Sequence, residues 1–150
     1  MRARIIGLGQ AAAGDDGVGL AVLEWLREHG VPDGVELVRA AEDSALIPLL
    51  QTPAAVVLVD AVLGTPPGET CELTPEQLAS GALRSLSTHG MGVRQALQLA
   101  QILAPDAALP SIRIVAVTIS RPLRYEQRLS PAVAAAVPRA AERVLALLGG

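Results

Sequence analysis

Gly7-Leu8-Gly9-Gln10-Ala11-Ala12-Ala13-Gly14-Asp15-Asp16-Gly17-Val18-Gly19 is the stretch whose reading decides the fold. An apolar run, Ile5 to Leu8, leads into it, and an amphipathic run, Val18 to Arg27, leads out. That order reads as strand, long glycine-rich loop, helix. Two adjacent acids, Asp15 and Asp16, arrive at the helix start. An Asp at an N-cap or in a first turn accepts orphan N–H bonds and complements the helix dipole. One acid meets that need, and the second is surplus to it.

Working outward, Gly30-Val31-Pro32-Asp33-Gly34 is a turn and Val35 to Val38 a second strand. Asp43 or Ser44 caps a short helix over Ala45 to Leu50, with Pro48 limiting its start. The run Ala54 to Val59 is the most strand-like in the chain and ends on Asp60. Beyond Gly64-Thr65-Pro66-Pro67-Gly68 comes a weak strand, Thr70 to Leu73. Its connection is too short for a parallel crossover, which needs about a dozen residues, so an antiparallel strand is expected. Thr74-Pro75-Glu76-Gln77 has capping-box spacing with Pro at the first helical position. Ser80 to Thr88 is a polar loop leading to His89-Gly90, and Gly92 to Leu103 has helical periodicity. Ile112 to Thr118 is the last strand, Arg121 to Arg128 is polar and irregular, and Ser130-Pro131 opens a terminal helix.

Strands alternating with helices predict one α/β domain over residues 1–150. Its architecture is a three-layer sandwich, a mostly parallel twisted sheet of about five strands with one antiparallel strand and helices on both faces. Hydrophobic residues make up 51% and the mean hydropathy is +0.42, yet no apolar run reaches the roughly 18 residues of a membrane span. A soluble protein with no membrane partner is expected. The start runs straight into a strand, with no signal peptide. A net charge of −3 without a basic patch argues against nucleic acid. The single cysteine, Cys71, excludes an intramolecular disulfide framework, suits the cytoplasm, and fills the weak strand as a small apolar residue.

Ligands of such sheets bind outside the carboxyl ends of the strands, where neighbouring connections diverge. With the order 2-1-3, Asp16 after the first strand and Asp60 at the end of the third flank that crevice, and His89 can reach the same mouth. Two carboxylates and an imidazole make an open metal site, with oxygen and borderline nitrogen ligands and free coordination positions. The bland readings are a cap for Asp16 and a loop histidine for His89. Asp60 is harder to dismiss, because a carboxylate on a wholly apolar strand is costly unless exposed, paired or coordinated. His29, at the end of the first helix, reads as structural, and Arg121, Arg124 and Arg128 as a solvated face. Ser87 lacks the Gly-x-Ser-x-Gly elbow of a serine hydrolase. Gly7-x-Gly9-x-x-Ala12 fits a dinucleotide fingerprint, but the loop runs on to Asp15-Asp16, placing negative charge where a diphosphate would lie.

With these residues in view, the sequence resembles the [NiFe]-hydrogenase maturation endopeptidases. The resemblance rests on Gly7-Leu8-Gly9-Gln10 through Asp15-Asp16-Gly17-Val18-Gly19, on Val57-Leu58-Val59-Asp60-Ala61, on His89-Gly90-Met91-Gly92-Val93 and on Leu129-Ser130-Pro131. It spans nearly the whole chain in the right order. It implies a single-domain α/β enzyme that removes a C-terminal extension from the hydrogenase large-subunit precursor after nickel insertion. The family's metal-contacting residues fall on Asp16, Asp60 and His89, which are therefore the expected catalytic and metal residues. Nickel would come with the substrate protein rather than as a tightly bound cofactor, and a cytoplasmic monomer is expected. The chain departs from the pattern at Gln10, at Arg39 to Ser44, at Gln95 and at Arg128, in loops expected to face the substrate. A non-catalytic nickel-sensing assembly chaperone on the same scaffold is the alternative.

Overall fold

The computed structural model describes residues 1–9, 11–75, 77, 84–85, 93–106, 110–120 and 128–149. Six strands form one sheet: β1 (Ala3–Leu8), β2 (Val35–Ala40), β3 (Ala55–Leu63), β4 (Thr70–Leu73), β5 (Arg84–Ser85) and β6 (Ile112–Ile119). The main path runs β2-β1-β3-β6-β4. β2, β1, β3 and β6 are mutually parallel, and β4 is antiparallel to β6. The 2-1-3 order and the antiparallel fourth strand are both as the sequence predicts. The two residues of β5 lie off this path, antiparallel to the end of β3.

Strand alternation divides the core into two. Ile5, Val57, Val59, Ala61, Val115 and Val117 face α1 (Val18–His29) and the terminal helix α4 (Pro131–Gly149). Ile6, Leu8, Val56, Leu58 and Ile114 face α2 (Leu46–Leu49) and α3 (Val93–Leu103). β1, β3 and β6 are buried on both sides, which is why they read as continuous apolar runs. Edge strand β2 is less buried, with Glu36 and Arg39 exposed.

Three expectations change. Residues 11–17 are a 3₁₀ helix, not an open loop, and run directly into α1. β3 does not end at Asp60; Ala61, Val62 and Leu63 extend it three residues further, in register with Val117, Thr118 and Ile119. The charge at Asp60 interrupts an apolar run without interrupting the ladder. Finally, the span 80–88 contains β5, whose two residues leave no alternation to detect.

The capping box at 74–77 is present. Thr74 N–H donates to Gln77 Oε1 at 2.8 Å, and Gln77 N–H to Thr74 Oγ1 at 3.2 Å. Buried Thr118 fastens the β3–β4 connection, donating to the Pro66 carbonyl at 2.8 Å and accepting Glu69 N–H at 2.9 Å. Half-buried Cys71 on β4 is a free thiol. Burial pushes its pKa above the ordinary range, and the nearby Arg143 guanidinium opposes that shift. Cys71 is therefore a thiol at neutral pH, and its alkylation rate is expected to be still rising above pH 9.0, the ordinary thiol value. A rate plateau reached below that pH in a stopped alkylation series would contradict this environment.

Candidate active site at the carboxyl ends of β1 and β3

The glycines of the opening stretch bring α1 directly onto the strand ends. A Cβ at Gly19 would lie 2.5 Å from the carbonyl oxygens of both Leu8 and Val59. Gly19 therefore sits against two neighbouring strands at once, one residue before Asp60 on β3. Gly9, at φ +134, has the Asp16 carbonyl where a side chain would begin. The close approach that a dinucleotide fingerprint reserves for a pyrophosphate is thus taken by the protein's own backbone. Together these contacts lay the 3₁₀ helix carrying Asp16 across the rim where β1 ends and Asp60 follows.

Asp60 is only 7% exposed. It pairs in the ladder with Ala116, and its Oδ1 accepts the N–H of Ala61 at 2.8 Å. Alternation places its side chain on the same face as Val56 and Leu58, the face covered by α2 and α3. Asp16 is half-buried at the end of the 3₁₀ helix. Asp16 thus stands on the 3₁₀ helix that follows β1, and Asp60 on the neighbouring strand β3. His89 lies outside the described residues. It stands four positions after Ser85, which pairs with Val62, two residues beyond Asp60. Among the described residues, no three His, Cys, Asp or Glu side chains gather as a metal site.

The capping expectation fails in an informative way. Gly17 is the N-cap of α1 and makes no side-chain cap, because the chain is already helical when α1 begins. Asp15 serves a different helix. Its carboxylate accepts the backbone N–H of Ser130 at 2.6 Å and the Ser130 hydroxyl at 2.8 Å. The Ser130 hydroxyl donates to Asp15, which places a carboxylate at the start of α4. The two residues are 115 positions apart, so local spacing carries no trace of the contact. Asp15→Ala is expected to cost about 2 kcal/mol in urea unfolding, the usual range for hydrogen bonds to a charged group. Ser130→Ala, which keeps the backbone bond, should cost about half of that.

His29 is structural, as expected. It stacks on Trp25 at 3.7 Å between ring centroids, and its Nδ1 hydrogen bonds the Trp25 carbonyl at 2.8 Å. Arg121 and Arg124 lie outside the described residues, and Arg128 is exposed.

Sequence reasoning passed over a cleft beside Asp16. It measures about 370 Å³ and is lined by Gly14, Gly17, Leu20, Ala21, Arg39 and Leu129, with Glu24 also contributing. One signal was available. In Val35-Glu36-Leu37-Val38-Arg39, Arg39 shares the parity of Val35 and Leu37, both packed towards α1, so it is a cation on the inward face of a strand.

Among the described residues, no helix is long and apolar enough to cross a membrane. The chain is similar in structure to the [NiFe] hydrogenase maturation protease HybD from Thermococcus kodakarensis, with a TM-score of 0.80 and 26% identity over 99% of each chain. The hydrogenase maturating endopeptidase HybD from E. coli gives a TM-score of 0.78 and 25% identity, over 99% of this chain and 92% of that one. A hydrogenase 2 maturation peptidase from Thaumarchaeota archaeon SCGC_AB-539-E09 gives 0.68 and 27%, over 99% of each. No match was found among curated protein sequences. The family model HycI, hydrogenase maturation protease, matches residues 21–147. With a parallel sheet of this order, an acid pair laid across its rim and this match over most of its length, the chain belongs to the hydrogenase maturation protease family and is a peptidase.

Proposed function

We propose that this peptidase removes the C-terminal extension of a [NiFe]-hydrogenase large-subunit precursor once nickel has been inserted, and that Asp16, Asp60 and His89 recognise the nickel carried by that substrate. The observation that supports this most is that Gly19, three residues after Asp16, packs against both Leu8 at the end of β1 and Val59, the residue before Asp60 on β3. Two carboxylates with one imidazole form a sparse ligand set that leaves coordination positions for groups of the partner. Such a set suits an ion that arrives already bound. When present, the nickel supplies Lewis-acid polarisation or water activation.

The chain's own residues do the rest. Burial of Asp60 in the sheet fixes its carboxylate, and the Ala61 N–H holds Oδ1 in one orientation. Asp16 is carried on a 3₁₀ helix whose neighbour Asp15 is tied to Ser130, so the rim is braced from both ends of the sequence. No covalent nucleophile is required. The reaction takes place in the cytoplasm. The test is to incubate purified protein with nickel-loaded precursor and follow the mass of the large subunit. Loss of the C-terminal extension, dependent on nickel and abolished in His89→Ala, is the expected result. Unchanged processing by His89→Ala would remove that residue from the mechanism, and stable binding with no mass change would favour a chaperone.

A further inference from the structure

We infer that Asp15 is a positioning residue for the proposed reaction: its two bonds to Ser130 set the direction of the neighbouring Asp16, and Asp15 itself stays outside the ligand set. The inference rests on the proposed role of Asp16 and sorts the acid pair into two separate tasks.

Both oxygens of the half-buried Asp15 carboxylate are engaged. Oδ1 accepts the Ser130 N–H at 2.6 Å, and Oδ2 accepts the Ser130 hydroxyl at 2.8 Å. Such a fork holds the side chain in two directions at once, and hydrogen bonds to an ionised acceptor are the strong ones. The anchor at its far end is firm. The Ser130 carbonyl accepts the Ala134 N–H at 2.8 Å, the opening bond of α4. That helix is packed on the sheet through buried Val133, Ala136, Val137 and Ala140.

Asp16 follows on the same 3₁₀ helix. With three residues per turn, consecutive side chains leave such a helix about 120° apart. With Asp15 turned to the start of α4, Asp16 is therefore directed away from it, and the two acids do not serve one ligand. On the other side of Asp16, its carbonyl stands where a Gly9 side chain would begin. The backbone is thus held on both sides of the Asp16 α-carbon, by the Asp15 side chain before it and by Gly9 after it. Rolling the 3₁₀ helix about its axis, which would swing the Asp16 carboxylate, breaks the bonds to Ser130 first. A misplacement of about 1 Å in a reacting constellation costs about 100-fold in rate.

Substitutions separate positioning from ligation and from packing. Asp15→Asn keeps both contacts, its amide oxygen accepting the Ser130 N–H and its amide N–H donating to the Ser130 oxygen, and removes only the charge. Asp15→Ala removes both contacts. With nickel-loaded precursor, at a temperature where every variant is folded, Asp15→Ala is expected to lower kcat/KM about 30-fold, and Asp15→Asn to stay within about threefold of wild type. Ser130→Ala, which keeps the backbone bond, should fall between them. An unaltered kcat/KM in Asp15→Ala overturns the inference, because the bonds then serve stability alone. Asp15→Asn as inactive as Asp16→Asn overturns it too, because the charge of Asp15 then takes part. If the wild-type protein cleaves no precursor, the proposed function fails instead, and amide hydrogen exchange decides the positioning by itself. In Asp15→Ala, exchange at residues 15–17 that rises about tenfold more than exchange in β3 supports the inference, and a rise equal to that of β3 rejects it.

Discussion

Asp60→Asn is expected to slow precursor processing at least about 100-fold while leaving the protein folded. The substitution keeps the shape of the side chain and an oxygen able to accept the Ala61 N–H, now bonded at 2.8 Å. What it removes is the negative charge. A group acting on a reacting proton contributes about 10²–10⁴-fold, and loss of an anionic ligand from so sparse a set weakens nickel recognition as well. The amide oxygen can still accept the Ala61 N–H, and the side-chain volume is unchanged, so the fold should be retained. Loss of activity with a preserved Tm separates a functional acid from a structural one. Wild-type rates of extension removal, followed by mass spectrometry, would strike Asp60 from the mechanism.

Gly19→Ala is expected to be strongly destabilising. The new Cβ would lie 2.5 Å from two backbone carbonyl oxygens, those of Leu8 and Val59, and neither strand can yield without breaking its ladder. The way out is for α1 to lift away, which forfeits packing of Val18, Val22 and Leu23 against the sheet. Overpacking of this kind costs about 3 kcal/mol or more. In a domain of this size each kcal/mol shifts Tm by about 2–4 °C, so a fall of about 6–12 °C is expected. Gly149→Ala, which meets nothing within 4 Å, serves as the control and should stay within about 0.5 kcal/mol. Because α1 continues from the helix that carries Asp16, Gly19→Ala should also lose processing activity at temperatures where it remains folded. A variant as stable as the wild type would mean that the helix does not rest on the strand ends.

The features legible in the sequence are those set by short-range pattern. Val56 to Val59 reads as a doubly buried strand because nothing polar interrupts it, and the long helical connections between the first three strands call for the parallel pairing that β1 makes with β2 and β3. The brevity of the link from β3 to β4 dictated an antiparallel return. Asp16 reads as part of the connection after β1, and Asp60 as part of β3, because each follows or closes an apolar run. Other features depend on contacts that spacing does not encode. Asp60 looked like a terminus because a charge breaks an apolar run, although the hydrogen-bond ladder is indifferent to side-chain charge. The acid pair looked like a source of a cap for the helix it precedes, whereas the partner of Asp15 is Ser130, 115 residues away. Arg39 drew notice only as a departure from a motif, since the cleft it faces is assembled from three separate segments.

The bond between Asp15 and Ser130 also has a consequence in time. Synthesis proceeds from β1, so the acid pair leaves the ribosome long before its brace exists. Until residue 130 has emerged, the nascent chain carries both carboxylates with their mooring still untranslated. The helix that carries Asp16 is thus braced only once residue 130 has been made, and a product released before that point would lack the brace.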